Sequence, residues 1–140
     1  MRNAALFVVL LVSSACATVG SREPAVGESR MGAPHEPRPD DCALEFVSVS
    51  AADMGPGARF GSGGEFEMVG AVMIGADPGT SAMSESIRRL VRPRACAMGG
   101  HVVSLLGDGS GSNAYGVGQQ NIVFSVWGKR SGEAPHHLAF

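Results

Sequence analysis

Residues 83–106 read MSESIRRLVRPRACAMGGHVVSLL, and a change of rhythm inside this run decides the fold. Met83, Ile87, Leu90, Val91, Ala95 and Met98 recur at helical spacing and form one apolar stripe. Thr80 or Ser81 is the expected N-cap, which leaves Glu85 in the first turns, where a negative charge suits the helix dipole. Arg88, Arg89, Arg92 and Arg94 lie off the stripe and are expected to reach toward solvent or the helix C-terminus. Pro93 sits inside it, lacks an N–H and clashes with the carbonyl four residues back, so a kink or a break is expected there. Gly99-Gly100 provides a left-handed stop. The period then falls to that of a strand over His101–Leu106.

Moving outward, Ala43–Ser50 (ALEFVSVS) reads as a first strand and Glu65–Ile74 as a second. In the second, Phe66, Met68, Val72 and Ile74 alternate onto one face with Gly70 between them. Asp77-Pro78-Gly79 closes it as a turn. Asn121–Lys129 is a fourth strand, with Ile122, Phe124 and Val126 on one face and Val123, Ser125 and Trp127 on the other. The order β-β-α-β-β predicts a small two-layer α+β domain, one helix laid on a sheet, over residues 42–129. Residues 51–64 and 107–120 read as loops, and 130–140 as a flexible tail.

The 140 residues allow one domain. Apolar residues make up 44% and charged residues 17%, enough for a core and too apolar for wholesale disorder. The net charge is −2 with only 11 Lys and Arg, which argues against a nucleic-acid partner, since such binding needs a dense basic face. At the start, Met1-Arg2 and the apolar run Ala4–Val12 match a secretory signal and are too short to span a bilayer. Residues 17–41 contain almost no large apolar side chains and carry four of the eight prolines, so a disordered tether is expected there.

Leu11-Val12-Ser13-Ser14-Ala15-Cys16 resembles the lipobox of bacterial lipoproteins. The resemblance implies cleavage after residue 15, acylation of Cys16 and a lipid anchor. Ala17 after the cysteine, rather than an aspartate, implies the outer membrane, with the domain facing the periplasm. The expected layout is therefore a signal peptide over 1–15, a lipidated Cys16 and tether over 16–41, then the domain and tail. With Cys16 assigned to lipid, Cys42 and Cys96 remain. In an exported chain an even pair points to a disulfide, and two buried thiols or a metal pair are the alternatives. A bridge would close a 54-residue separation and tie the entrance of the first strand to the last helical turn.

Arg94-Ala95-Cys96-Ala97-Met98-Gly99-Gly100-His101-Val102-Val103 is similar to the helix-end signature of small envelope lipoproteins of the Rcs stress-sensor and YbjQ-like type. That likeness implies a fold and a compartment and is silent on chemistry. The Rcs sensor carries two disulfides, whereas this domain has cysteines for one.

No nucleophile elbow, phosphate loop or paired carboxylates can be assembled from the spacing. Gly107–Ser112 lacks the Lys-Ser/Thr of a phosphate loop, and the acidic residues Glu45, Glu65, Glu67, Asp77, Glu85 and Asp108 are scattered. Phe60 and Trp127 are the best candidates for exposed contact residues. The expected function is a non-catalytic, membrane-anchored lipoprotein that interacts with another envelope protein and uses no cofactor. The competing reading is a periplasmic metal-handling protein using His101 with the tail histidines His136 and His137. It is weakened because zinc sites favour short, paired ligand spacings.

Overall fold

The computed structural model describes residues 24–54, 57–107 and 120–132. The fold is α+β: among the described residues, one five-stranded mixed sheet carries a single α-helix on one face. The strands are β1 (Ala25–Arg30), β2 (Glu45–Val47), β3 (Phe66–Ala76), β4 (Val102–Gly107) and β5 (Gln120–Lys129), and the helix α1 spans Glu85–Ala97. Their order across the sheet is β1-β3-β5-β4-β2. Only β2 and β4 pair in parallel, and the other three pairings are antiparallel.

Strand β1 lies within the stretch expected to be tether, and that expectation is corrected from Ala25 onward. It pairs along its length with β3, from Ala25 opposite Gly75 to Arg30 opposite Gly70. Five of its six residues are exposed, so it is held by main-chain hydrogen bonds rather than by an apolar stripe. Residues 17–23, Cys16 and the signal segment lie outside the described residues.

The helix-side core holds Val72, Ile74, Ile87, Val91, Ala95, Val103, Ile122, Phe124 and Val126, all almost completely buried. Burying a Val, Ile or Phe side chain stabilises by about 1.5–3 kcal/mol, so this layer supplies most of the driving force. On the opposite face a smaller cluster of Phe60, Phe66, Val102 and Trp127 lies beneath the 48–64 segment, joined by Val47, Val49 and Met68. The two layers are linked by a β-bulge in β3. Met68 pairs with Trp127 and Gly70 with Val126, so Val69 is the extra residue. The inserted residue moves Phe66 and Met68 to the outer face, whereas Val72 and Ile74 remain under the helix. The expectation of one shared face is thereby corrected.

Helix α1 begins later than expected, with Ser84 as its N-cap. Thr80 instead closes the Asp77–Thr80 turn, its hydroxyl donating to Asp77 O at 2.7 Å and its N–H to the same oxygen at 3.1 Å. The helix continues unbroken through Pro93. At its end the Gly99 N–H donates to Cys96 O at 2.9 Å and the Gly100 N–H to Ala95 O at 2.8 Å, with Gly99 at φ +79°. This paired closure is a Schellman motif, and the positive φ is why glycine stands there.

Candidate functional site

The C-terminal end of α1 is crossed by the irregular segment 31–42, in which Pro34, Pro37 and Pro39 fix φ at three positions. Arg38 fastens it. Its N–H donates to Cys96 O at 2.8 Å, and its guanidinium donates to Gly100 O at 2.6 Å and to Ala43 O at 3.2 Å. The first of these bonds gives Cys96 O, a carbonyl of the last helical turn, a second donor, and the guanidinium places a positive charge at the negative end of the helix dipole. Cys42 and Cys96 form a disulfide, with their Cα atoms 5.9 Å apart. Arg92 donates to Cys42 O at 3.1 Å and secures the same corner.

Between this segment and the ends of β3 and β5 lies an open cleft of about 560 Å³, lined chiefly by His35, Arg38, Glu67, Gly99, His101 and Lys129. His35 Nε2 sits 2.8 Å from Glu67 Oε1, its ring lies against Gly128 and its Cβ against Gly99, and a side chain at either glycine would collide with it. Glu67 also receives Arg130 Nη1 at 3.2 Å. Arg130 was expected in a flexible tail, yet it donates to Gly64 O and Gly61 O, both at 3.1 Å, and its backbone N–H donates to Glu65 O at 2.9 Å.

His101 occupies the floor of the cleft. Its Nδ1 lies 3.1 Å from Gly99 O and 3.4 Å from the backbone N of Lys129. Burial holds its pKa below the ordinary imidazole value, and the positive charge of Arg38 adds to the effect, so the ring is neutral near pH 7. Among the described residues, no three His, Cys, Asp or Glu side chains gather where a metal ion could sit. His136 and His137 lie outside the described residues, as does Asp108–Gln119 of the glycine-rich loop. Sequence reading missed His35, because its neighbours carry no hydropathy pattern and only the fold brings it to Glu67.

The remaining candidates are placed differently from expectation. Phe60 and Trp127 are each 3% exposed and belong to the outer cluster, with ring centroids 5.0 Å apart. Arg59 lies over the rings of Phe60 at 5.2 Å and Phe66 at 5.1 Å, and it hydrogen-bonds Glu45, whose carboxyl it holds below the usual carboxylate range. Of the helix arginines only Arg89 is fully exposed, paired with Glu85 at 3.3 Å. Arg88 stacks over Phe46 at 5.2 Å, and Arg94 returns to Leu90 O at 3.0 Å. Most of this cluster thus packs on its own domain instead of forming a free basic face.

No protein-family model and no curated protein matches the chain. One solved structure is similar. It is the crystal structure of the Francisella virulence factor FvfA in its orthorhombic form, at 10% identity and a TM-score of 0.46, covering 74% of this chain and 98% of that one. Among the described residues, no helix is long and apolar enough to cross a membrane.

Proposed function

We propose that this protein is a non-catalytic bacterial lipoprotein, anchored through Cys16 in the cell envelope, on the periplasmic face of the outer membrane. Its domain engages another envelope component at the cleft between the proline-rich segment and the sheet. The observation that carries this reading is the Cys42–Cys96 disulfide. Bonded cysteines of this kind belong to oxidising compartments, which agrees with an export signal ending at a lipobox cysteine. A recognition role for the cleft is favoured because three of its ionisable groups are committed to structural bonds: Glu67 to His35 and Arg130, and Arg38 to Gly100 O.

The test is mass spectrometry of the N-terminus of the native product, together with membrane fractionation. An acylated Cys16 in the membrane fraction is expected, whereas an unmodified chain in the soluble fraction overturns the reading. The metal-handling alternative uses His101 with the tail histidines His136 and His137, which lie outside the described residues. Calorimetric zinc titration separates the two: micromolar binding that is lost in His101→Ala favours the alternative.

A further inference from the structure

Among the described residues, the outer face of the sheet is covered at only one end. Over β3 and β5, Phe66 and Trp127 lie under the 48–64 segment, but further along the same face Met73 is 49% exposed and Leu106 66% exposed. The register aligns these positions across four strands. Gly27 pairs with Met73, Met73 with Val123, and Val123 with Gly107 at the bulge that holds Leu106. At this end of the face the strands β1, β3, β5 and β4 carry only uncharged side chains: the alternation places Glu28 and Arg30 on the helix side with Val26, and Lys129, opposite Phe66, lies at the covered end. The result is a neutral surface that presents two large apolar side chains to water.

The position of this surface relative to Cys16 supplies its occupant. Ala25, the first residue of β1, follows Cys16 by nine residues and lies two positions from Gly27 on the same face. Fully extended, nine residues reach about 30 Å, and as a flexible coil roughly 17 Å. A lipidated Cys16 therefore confines this end of the sheet to the immediate vicinity of the bilayer, at an effective concentration on the order of millimolar or more. The cleft with His35 and His101 lies at the opposite end of β3, and it points away from the lipid. We infer that the uncovered end of the outer face, with Met73 and Leu106 at its centre, docks onto the lipid surface and orients the cleft toward the periplasm. This rests on the lipid-anchor reading proposed above.

The test uses the full lipidated chain in vesicles of phosphatidylethanolamine and phosphatidylglycerol with brominated acyl chains. Tryptophan is introduced singly as Met73→Trp, Leu106→Trp and, on the covered end of the same face, Met54→Trp. Native Trp127 is buried and contributes a constant background. Docking into the interfacial layer, about 5–10 Å deep, predicts at least roughly twofold stronger quenching for the first two variants than for Met54→Trp. Mass spectrometry of the same sample reads Cys16 independently. If Cys16 lacks lipid, the anchor falls and the docking with it. If Cys16 is acylated and all three variants quench alike, the anchor stands and the docking is overturned. Unquenched variants in a chain that cross-links as a dimer assign the surface to a second copy, and that also overturns the docking.

Discussion

Trp127 donates its indole N–H to Ser104 Oγ at 2.8 Å across the β4–β5 pairing, and both residues are at most 3% exposed. The bond lets a polar ring end sit inside an apolar cluster, since a buried donor without a partner loses its hydration uncompensated. Ser104→Ala is expected to destabilise by about 1–3 kcal/mol in urea unfolding. Combined with Trp127→Phe, the loss should be smaller than the sum of the two single changes, because the second removes the donor that the first leaves stranded. Additive losses would show that the bond contributes nothing.

Phe60 lies outside the named strands and the helix, joined to Phe66 by an isolated bridge, yet it fills the centre of the outer cluster between Phe66 and Trp127. Phe60→Ala should therefore behave as a core truncation and cost about 3 kcal/mol or more. A surface residue would lose under about 0.5 kcal/mol, so the urea midpoint decides between core and contact roles.

The Cys42–Cys96 bridge spans 54 residues and holds the proline-rich segment against the helix end. Cys96→Ser, or reduction of the wild-type chain, is expected to lower stability by about 2–4 kcal/mol. Superimposable unfolding curves for oxidised and reduced protein would contradict this.

Gly99 and Gly63 have nearly equal dihedrals, φ +79° and +78°, but different surroundings. A Cβ on Gly99 would lie 2.6 Å from the His35 Cβ and 2.8 Å from Glu36 O, whereas one on Gly63 meets nothing within 4 Å. Gly63→Ala should cost only the left-handed backbone penalty, about 1–2 kcal/mol. Gly99→Ala should cost more and should also loosen the cleft, visible as faster amide exchange at Arg38. Equal losses for the two variants would show that the segment yields without penalty.

His101 should make stability depend on pH in a defined direction. Its pKa is lowered in the folded state by burial and by the charges of Arg38, Lys129 and His35. The unfolded chain therefore binds more protons than the folded one between the folded pKa and the ordinary value near 6.5. Stability falls as pH drops through 6.5 and stops falling from this source below the folded pKa. His101→Gln should flatten that part of the profile, and thermal melts between pH 5 and 8 measure it. An unchanged slope would assign the dependence to other groups.

Much of this architecture is legible in the residues themselves, because a helix or strand that buries one face must repeat its apolar side chains at 3.6 or 2 residues. The stripe from Ile87 to Ala95, the stop at Gly99-Gly100 and the alternating faces of β5 are all visible in this way. So is the pairing of Cys42 with Cys96, through the parity of cysteines after Cys16 is set aside.

Three features needed the tertiary structure. Strand β1 is bound to an edge through its main chain, which every sequence possesses, so its exposed side chains carry no signal. The bulge at Val69 exists only relative to the register of β5, yet it decides which face Phe66 and Met68 cover. His35 meets Glu67 across 32 positions of chain, a contact without local period or motif. Hydropathy rhythm records which side of an element is buried, whereas edges, registers and distant side-chain meetings depend on partners supplied by the rest of the fold.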